Sequence, residues 1–313
     1  MAHKIGNRHI EKITIIKPQG IRQGNKVGVI SPAGPVSEPE LKPGLSIIES
    51  SGFKVHLGPH VYNSRGYLAG EDEARLEDLH AMFQDQEIKA IFCARGGYGS
   101  LRLLDNIHYD LIKENPKILV GYSDITALLM AIHRKTGLVT FHGPMIRELA
   151  AKDKSNWENL LRLLSSSQPT ELSLTEGTAL IQGKATGPLM GGNLSLICHL
   201  IGTDFMPSLD GCILFVEEKG ETMYRLDRML THLSLTNQLK GISGLIAGRF
   251  EGCGEMSTIN QLLMDIALDL DIPLIAGVPV GHGQKNVALP LGIQAELDTN
   301  KMTLFIAENC IIA

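Results

Sequence analysis

Ser123 lies where the residue pattern of the chain changes abruptly. The apolar run 118–120 predicts a buried strand that ends at Gly121, and a helical pattern begins almost at once and continues to Gly137. Ser123 is therefore expected on a tight strand-to-helix turn. Its hydroxyl would stand above the end of a sheet, and the next backbone N–H would point where an oxyanion forms. This layout is typical of a nucleophile elbow, although the second glycine of the usual motif is missing. The alternative is that Ser123 only caps the helix.

A serine nucleophile needs a base that takes its proton and a carboxylate that orients the base. Glu217 and Glu218 end one hydrophobic strand pattern, and His282 follows another between two glycines. Strand ends are where α/β scaffolds place catalytic groups, so these residues are candidates together with Ser123. In the alternative interpretation the glutamates are solvated and His282 is an ordinary loop residue. His142 ends a further predicted strand and is the main rival as the base. Three other histidines fall on helical stretches: His133, His199 and His232.

The segment Arg95-Gly-Gly-Tyr-Gly99 follows a predicted strand and is rich in glycine. Such a loop lets backbone amides converge on an anion, which favours either a phosphate site or half of an oxyanion hole. The loop lacks the glycine spacing of dinucleotide-binding folds and the Lys-Ser/Thr pair of a P-loop. The sequence therefore argues against nucleotide binding here.

Strands and helices alternate through the first half of the chain. Strands are predicted near 26–30, 53–57, 89–94, 117–120 and 139–142, with helices near 37–51, 71–84, 100–106 and 125–137. Ser37 with Glu40 three residues later predicts a capping box for the first helix. Alternation of this kind predicts an α/β fold with a doubly wound parallel sheet, whose active crevice lies at the carboxyl ends of the strands.

The pattern changes after residue 150, and this change predicts two domains. We expect a nucleophile-bearing doubly wound domain over 1–150 and a linker over 151–180. A second, smaller, β-rich α/β domain over 181–313 would bear the acid and the histidine. The active site would then lie in the cleft between the two domains.

Composition narrows the classes of function. The chain has 313 residues and a formal net charge of −5, with no basic run, which argues against nucleic acid as a partner. No apolar stretch is long enough to span a membrane, and residues 1–25 show no signal-peptide core, so a cytoplasmic protein is expected. The five cysteines are scattered without a Cys-x-x-Cys pair, which argues against zinc and a disulfide framework.

Several segments together resemble the LD-carboxypeptidase family of serine peptidases, which includes the microcin C self-immunity proteins. They follow one another along nearly the whole chain: Ser31-Pro-Ala-Gly34, Tyr67-Leu-Ala-Gly70, Ala94-Arg-Gly-Gly-Tyr-Gly99, Gly121-Tyr-Ser-Asp-Ile-Thr126, Met190-Gly-Gly-Asn193, Leu214-Phe-Val-Glu-Glu218 with Tyr224 and Asp227-Arg228, and Gly281-His282. One segment alone would be weak, but the ordered series is highly specific.

The resemblance implies a role for each candidate residue. It implies a triad in which Ser123 is the nucleophile, His282 the base and Glu217 the group that orients His282. It also implies an oxyanion hole made by the amides of Gly97 and Asp124, with no metal and no cofactor. A strand alternates its faces, so only one member of the Glu217–Glu218 pair can point into the site.

The resemblance also implies a substrate. The expected reaction is cleavage of the bond between an L-centre and a terminal D-alanine, as in murein tetrapeptides during cell-wall recycling. One rival is an amidase of peptidyl- or aminoacyl-nucleotides, and another is a non-catalytic two-domain protein that closes on a small ligand. The partner is thus expected to be a small peptide with a D-amino-acid terminus, and a homodimer is the candidate assembly.

Two further features bear on the choice of substrate. A carboxypeptidase must bind a free carboxylate, for which four arginines are available near predicted loop rims or on the helix after the acid-bearing strand: Arg95, Arg225, Arg228 and Arg249. A nucleotide would need an aromatic shelf, and Trp157 is the only tryptophan. Its amphipathic segment predicts that Trp157 packs inward rather than over the cleft.

Overall fold

The structure, a computed structural model, describes residues 14–313, so the first 13 residues of the polar lead-in expected over 1–25 lie outside it. Within 14–313 the strands are β1 (Lys26–Ile30), β2 (Lys54–Leu57), β3 (Ile88–Cys93), β4 (Ile118–Gly121), β5 (Thr140–His142), β6 (Thr170–Ser173), β7 (Thr178–Ile181), β8 (Lys184–Asn193), β9 (Ile213–Lys219), β10 (Gly244–Glu251), β11 (Leu274–Ala276), β12 (Leu289–Leu291), β13 (Gln294–Asp298) and β14 (Thr303–Ile306). The α-helices are α1 (Glu38–Ser50), α2 (Asp72–Gln84), α3 (Tyr109–Glu114), α4 (Ile125–Thr136), α5 (Ser155–Ser165), α6 (Leu194–Leu200), α7 (Met223–Leu235) and α8 (Met256–Asp269). Two 3₁₀ helices cover Ser100–Asn106 and Ile146–Glu148.

The first sheet has the strand order β12-β5-β4-β3-β1-β2, and all neighbours are parallel except β12, which runs antiparallel to β5. The three central strands β1, β3 and β4 are buried almost throughout, because helices cover both faces of such a sheet. The strand order reverses between β1 and β3, which makes their carboxyl ends a topological switch point. The predicted doubly wound parallel sheet is confirmed.

The second sheet has the order β6-β14-β13-β8-β9-β10-β11-β7. Its central strands β8, β9, β10 and β11 are parallel, whereas the strands on either side pair antiparallel. The acid-bearing strand β9 lies between β8 and β10, so Glu217 lies on one of the most buried strands of this sheet. The predicted second β-rich α/β unit is therefore present.

The chain crosses between the two sheets more than once. The segment expected as a linker over 151–180 contains α5, which buries Trp157 against the rings of Phe53 and Phe92. It also contains β6 and most of β7, which belong to the second sheet, and β12 later returns to the first sheet. The inward packing of Trp157 is confirmed, while the domain boundaries at 150 and 181 stay a prediction.

Two helix ends are formed as the sequence predicts. The backbone N–H of Ser37 donates to Glu40 Oε2 at 2.9 Å, which completes one half of the capping box at the start of α1. Helix α4 ends at Thr136 and is capped by Gly137, whose φ of 80° is left-handed and costs glycine little. Among the described residues no helix is both long and apolar enough to cross a membrane.

Candidate active site

Ser123 occupies the turn between β4 and α4, as the sequence predicts. Its φ of 62° is in the left-handed region, where a serine is strained, and such strain is typical of a nucleophile elbow. Close backbone approach surrounds it, because a Cβ added at Gly96 would lie 3.1 Å from the Ser123 Cβ. The turn thus presses the serine hydroxyl against the glycine loop that follows β3.

His282 lies in the loop after β11 and reaches across to Ser123. Its Nε2 is 3.1 Å from Ser123 Oγ, and its Nδ1 is 2.7 Å from Glu217 Oε2. The His282 backbone N–H donates to the same Glu217 oxygen at 3.1 Å. The three side chains therefore form one hydrogen-bonded chain that joins the two sheets, with the His282 side chain 12% exposed and Glu217 fully buried.

Glycines allow the backbone to approach Glu217 closely. A Cβ added at Gly281 would lie 2.3 Å from Glu217 Oε2, and one added at Gly248 would lie 3.1 Å from the Glu217 Cβ. Gly281 also has a φ of 94°, and its N–H donates to Asn286 Oδ1 at 2.8 Å. The close packing explains why position 281 is a glycine, since any side chain there would displace the Glu217 carboxylate.

Glu218 points to the opposite side of β9 and has a different set of partners. Its Oε1 accepts from Asn193 Nδ2 at 2.8 Å and from the Lys219 backbone N–H at 2.9 Å. Its Oε2 accepts from the Ser195 backbone N–H at 2.8 Å and from Ser195 Oγ at 2.7 Å. Glu218 thus holds the first turn of α6, while Glu217 faces His282.

The glycine loop beside Ser123 is held by buried charges. Gly97 has a φ of 112°, and a Cβ there would lie 3.1 Å from the Gly34 Cα. The buried Arg75 guanidinium donates to the carbonyls of Gly99, at 3.0 Å, and of Pro32. These contacts fix the loop in which Gly96 lies against Ser123.

Asp124 contributes a second support for the same loop. Its carboxylate accepts from the Ser100 backbone N–H at 2.8 Å and from Ser100 Oγ at 2.6 Å. Burial raises the pKa of Asp124, and the hydrogen bonds from Ser100 oppose that rise. Its side chain thus ties the start of α4 to the end of the glycine loop, which the sequence did not suggest.

Tyr122 forms a wall beside His282, with ring centroids 4.9 Å apart. Its hydroxyl donates to Glu148 Oε1 at 2.6 Å and accepts from Lys152 Nζ at 3.0 Å. Burial, followed by the Glu148 charge, raises the pKa of Tyr122, so the phenol stays neutral. The base therefore packs against an uncharged aromatic face.

Three supporting residues were missed at the level of sequence: Arg75, Tyr122 and the side chain of Asp124. A signal existed for Arg75, because it lies on the same side of α2 as Leu79 and Met82, at helical spacing of four and seven residues. A charged residue on the buried stripe of an amphipathic helix is expected to have a specific partner.

The rival base, His142, does not lie next to Ser123. Its ring is fully buried and packs against the rings of Tyr122 and Phe215, with centroids 5.6 and 5.0 Å away. His133 instead lies within hydrogen-bond distance of the Leu138 carbonyl, at 3.0 Å. Of these histidines, His282 is the one within hydrogen-bond distance of Ser123.

The four candidate arginines lie in different surroundings. Arg95 donates to the Pro35 carbonyl at 2.8 Å and so supports a loop of the first sheet. Two others lie on α7: Arg225 pairs with Glu221 at 3.1 Å, and Arg228 lies over the Tyr224 ring at 5.3 Å.

Arg249, at the end of β10, runs beside the histidine loop. Its Cγ is 3.3 Å from where a Cβ on Gly283 would be, and its backbone N–H donates to the Val280 carbonyl at 2.9 Å. The guanidinium is 4.0 Å from Glu176, which is a long ion pair. Arg249 is therefore the candidate cation next to His282.

Within 14–313 no group of three or more His, Cys, Asp or Glu side chains is arranged to hold a metal ion. The five cysteines are free thiols, and four of them are buried.

Comparison with known proteins gives a family. Models of the LD-carboxypeptidase N-terminal and C-terminal domains match residues 27–143 and 186–297. A probable murein peptide carboxypeptidase of Bacillus subtilis is 40% identical over 93% of this chain and 94% of its own length. A murein tetrapeptide carboxypeptidase of Pseudomonas aeruginosa is 33% identical over 88% of this chain and 94% of its own. The crystal structure of an MccF-like protein from Bacillus anthracis has a TM-score of 0.88 at 30% identity, covering 94% of this chain and 99% of that one.

Proposed function

Since the chain belongs to the LD-carboxypeptidase family, we propose that it removes the terminal D-alanine from murein tetrapeptides by cleaving an L,D-peptide bond. The chain is a serine hydrolase of the peptidase type. The observation that supports the proposal most is the hydrogen-bonded chain Ser123 Oγ, His282 Nε2 and Nδ1, and Glu217 Oε2, with lengths of 3.1 and 2.7 Å.

This geometry supports a mechanism by acyl transfer. His282 Nε2 takes the hydroxyl proton as Ser123 Oγ attacks the scissile carbonyl, and Glu217 holds the Nδ1–H so that Nε2 is the basic nitrogen. The amides of Gly97 and Asp124 donate to the developing oxyanion. His282 then gives its proton to the amine of the departing D-alanine, and water hydrolyses the acyl-enzyme by the same route.

The position of the general acid fixes where the substrate carboxylate must bind. In D-alanine the carboxylate is attached to the carbon next to the amine that His282 protonates, so its counter-charge has to lie beside His282. Arg249 runs along the segment that follows His282, and its pairing with Glu176 is at the distance limit. We therefore assign Arg249 to the terminal carboxylate.

The assignment of Arg249 predicts a change in substrate binding. Arg249→Gln should raise KM for the tetrapeptide at least tenfold, because a charge-assisted hydrogen bond contributes about 1.5–3 kcal/mol. Arg249→Lys should recover part of the loss. Arg228→Gln, which removes an arginine stacked on an exposed tyrosine, is the matched control and should leave KM unchanged. Equal KM values for Arg249→Gln and the wild type would refute the assignment.

The biological setting follows from the same substrate. The enzyme would act in the cytoplasm on small peptides returned from the cell wall, without nucleic acid, membrane, metal or cofactor, and a homodimer is the proposed assembly. The direct test is incubation of purified protein with L-alanyl-D-glutamyl-meso-diaminopimelyl-D-alanine and measurement of released D-alanine. The all-L peptide is the control and should be cleaved little.

One observation favours a second candidate, the hydrolysis of an aminoacyl-nucleotide. Tyr67 and Tyr98 are exposed and form an edge-to-face pair with ring centroids 5.5 Å apart, next to the glycine loop. Such a pair could stack a nucleobase, whereas Trp157 is buried and cannot. Turnover of an aminoacyl-sulfamoyl-adenosine with none of the tetrapeptide, reduced in Tyr98→Ala, would replace the murein proposal by this one.

A further inference from the structure

A buried polar cluster lies behind the triad, made by Glu217, His142 and Asn286. All three residues are completely buried. Within the part of the chain that the structure describes, four of their polar atoms have no hydrogen-bond partner: Oε1 of Glu217, both ring nitrogens of His142 and Nδ2 of Asn286. Folded proteins rarely leave buried polar atoms unpaired, so four such atoms in adjacent residues require an explanation.

The cluster is contiguous with the catalytic residues. The His142 ring packs edge-on against Phe215, and Phe215 and Glu217 lie two residues apart on β9 and so share a face. Asn286 accepts from the N–H of Gly281, whose Cα lies against the Glu217 carboxylate. The charge of Glu217 and the side chain of Asn286 both act on the pKa of His142, so the three polar groups are close to one another.

The unpaired atoms are complementary in type. Burial lowers the pKa of His142 to about 4, while the charge of Glu217 acts in the opposite direction. The ring is thus neutral near pH 7, with one N–H donor and one nitrogen acceptor. Glu217 Oε1 needs a donor and Asn286 Nδ2 needs an acceptor, so the neutral ring satisfies both at once.

We propose that His142 is a positioning residue of the catalytic site, whose ring N–H donates to Glu217 Oε1 while the Asn286 amide donates to the other ring nitrogen. This inference rests on the proposed function, because it concerns Glu217 as the group that orients His282. The hydrogen bond satisfies the second oxygen of the fully buried carboxylate. It also fixes the carboxylate plane, so that Oε2 stays directed at His282.

Few other charges face His142, and this makes a pH test interpretable. The titratable side chains beside it are Glu217 from β9, His282 from the loop after β11 and Tyr122 from the turn after β4. Strand β12 pairs Leu289 with it, which is apolar. On α4 the charged residues Arg134 and Lys135 are exposed, and His133 lies against the Leu138 carbonyl.

The test is the titration of His282 by NMR in protein labelled at histidine Cε1, with the signal assigned through His282→Gln. His142→Phe keeps the ring size but removes the donor, so the ionised carboxylate is less stable and the Glu217–His282 pair takes up its proton more readily. We expect the pKa of that uptake to rise by about one to two pH units. His142→Asn and His142→Gln place an N–H near the positions of Nδ1 and Nε2, and at least one should restore a titration close to the wild type.

A second, substrate-free readout is the rate at which a fluorophosphonate modifies Ser123. The acid limb of its pH–rate profile should shift to higher pH together with the His282 titration. His133→Phe removes another buried histidine of lowered pKa and is the matched control, with no shift expected. An unchanged His282 titration in His142→Phe would overturn the proposal. If that variant does not fold, the two amide variants decide, and a shifted titration in both overturns it. A wild type that titrates as expected but leaves the tetrapeptide intact contradicts the proposed function and not the role of His142.

Discussion

The adjacent acids Glu217 and Glu218 should give opposite phenotypes when each is changed to glutamine. Glu217→Gln places an amide beside His282, and if its NH2 faces Nδ1 the histidine adopts the tautomer that carries its proton on Nε2. That nitrogen can no longer accept a proton from Ser123. From the effect of such a change in catalytic triads, we expect kcat to fall about 10³–10⁴-fold.

Glu218→Gln should instead affect stability. Each oxygen of Glu218 accepts two hydrogen bonds, so one amide NH2 would face two donors, from Asn193 and Lys219 or from Ser195. Hydrogen bonds to a charged group contribute about 1.5–3 kcal/mol each, and two are lost, which predicts a loss of about 3–6 kcal/mol in the free energy of unfolding. That loss corresponds to a Tm lower by roughly 10 °C, with kcat near the wild-type value.

Two measurements on each variant decide the matter. Urea unfolding gives the free energy of unfolding, and D-alanine release at a temperature where both variants are folded gives kcat. An inactive but stable Glu218→Gln beside an active Glu217→Gln would refute the assignment of the two strand faces. Loss of activity in both, at full stability, would show that they act as one carboxylate pair.

Two further predictions concern the glycine loop and a buried histidine. Gly97→Val should lower kcat about a hundredfold, because a side chain at φ 112° meets Gly34 and displaces the amide that we propose as an oxyanion donor. Tight binding of ATP that this change abolishes would favour a nucleotide site instead. Burial lowers the pKa of His133, so the unfolded state binds its proton first as the pH falls below about 6.5 and the stability it contributes is lost there. In His133→Gln the free energy of unfolding should therefore depend less on pH between 7 and 5 than in the wild type. Urea unfolding at several pH values measures this dependence. The same slope of unfolding free energy against pH in both proteins would contradict the prediction.

Residue patterns within short stretches of the sequence were enough to place the principal site residues at the ends of strands and in loops. The change from an apolar run to a helical pattern around Ser123 is a local signal, because strand and helix periodicities are read within a few residues. Likewise Gly281 before His282 and the glycines after Arg95 mark places where the backbone comes close to another group. The alternation of strands and helices predicted the parallel sheet, and the family resemblance, rather than spacing, supplied the roles.

The tertiary structure alone decided which side chains meet. Sequence patterns give the face on which a residue lies but not the neighbour across that face, so strand alternation by itself did not distinguish Glu217 from Glu218. The family resemblance favoured Glu217, and the position of the strand in its sheet directs that residue at His282. The same holds for His142, which sequence treats as a rival base and which packing places behind the triad. Arg75 had no role in the sequence analysis, although the fold buries it under two loops that are distant in sequence. Contacts of this kind depend on how β9, β11 and the first sheet are brought together, and no local propensity determines that.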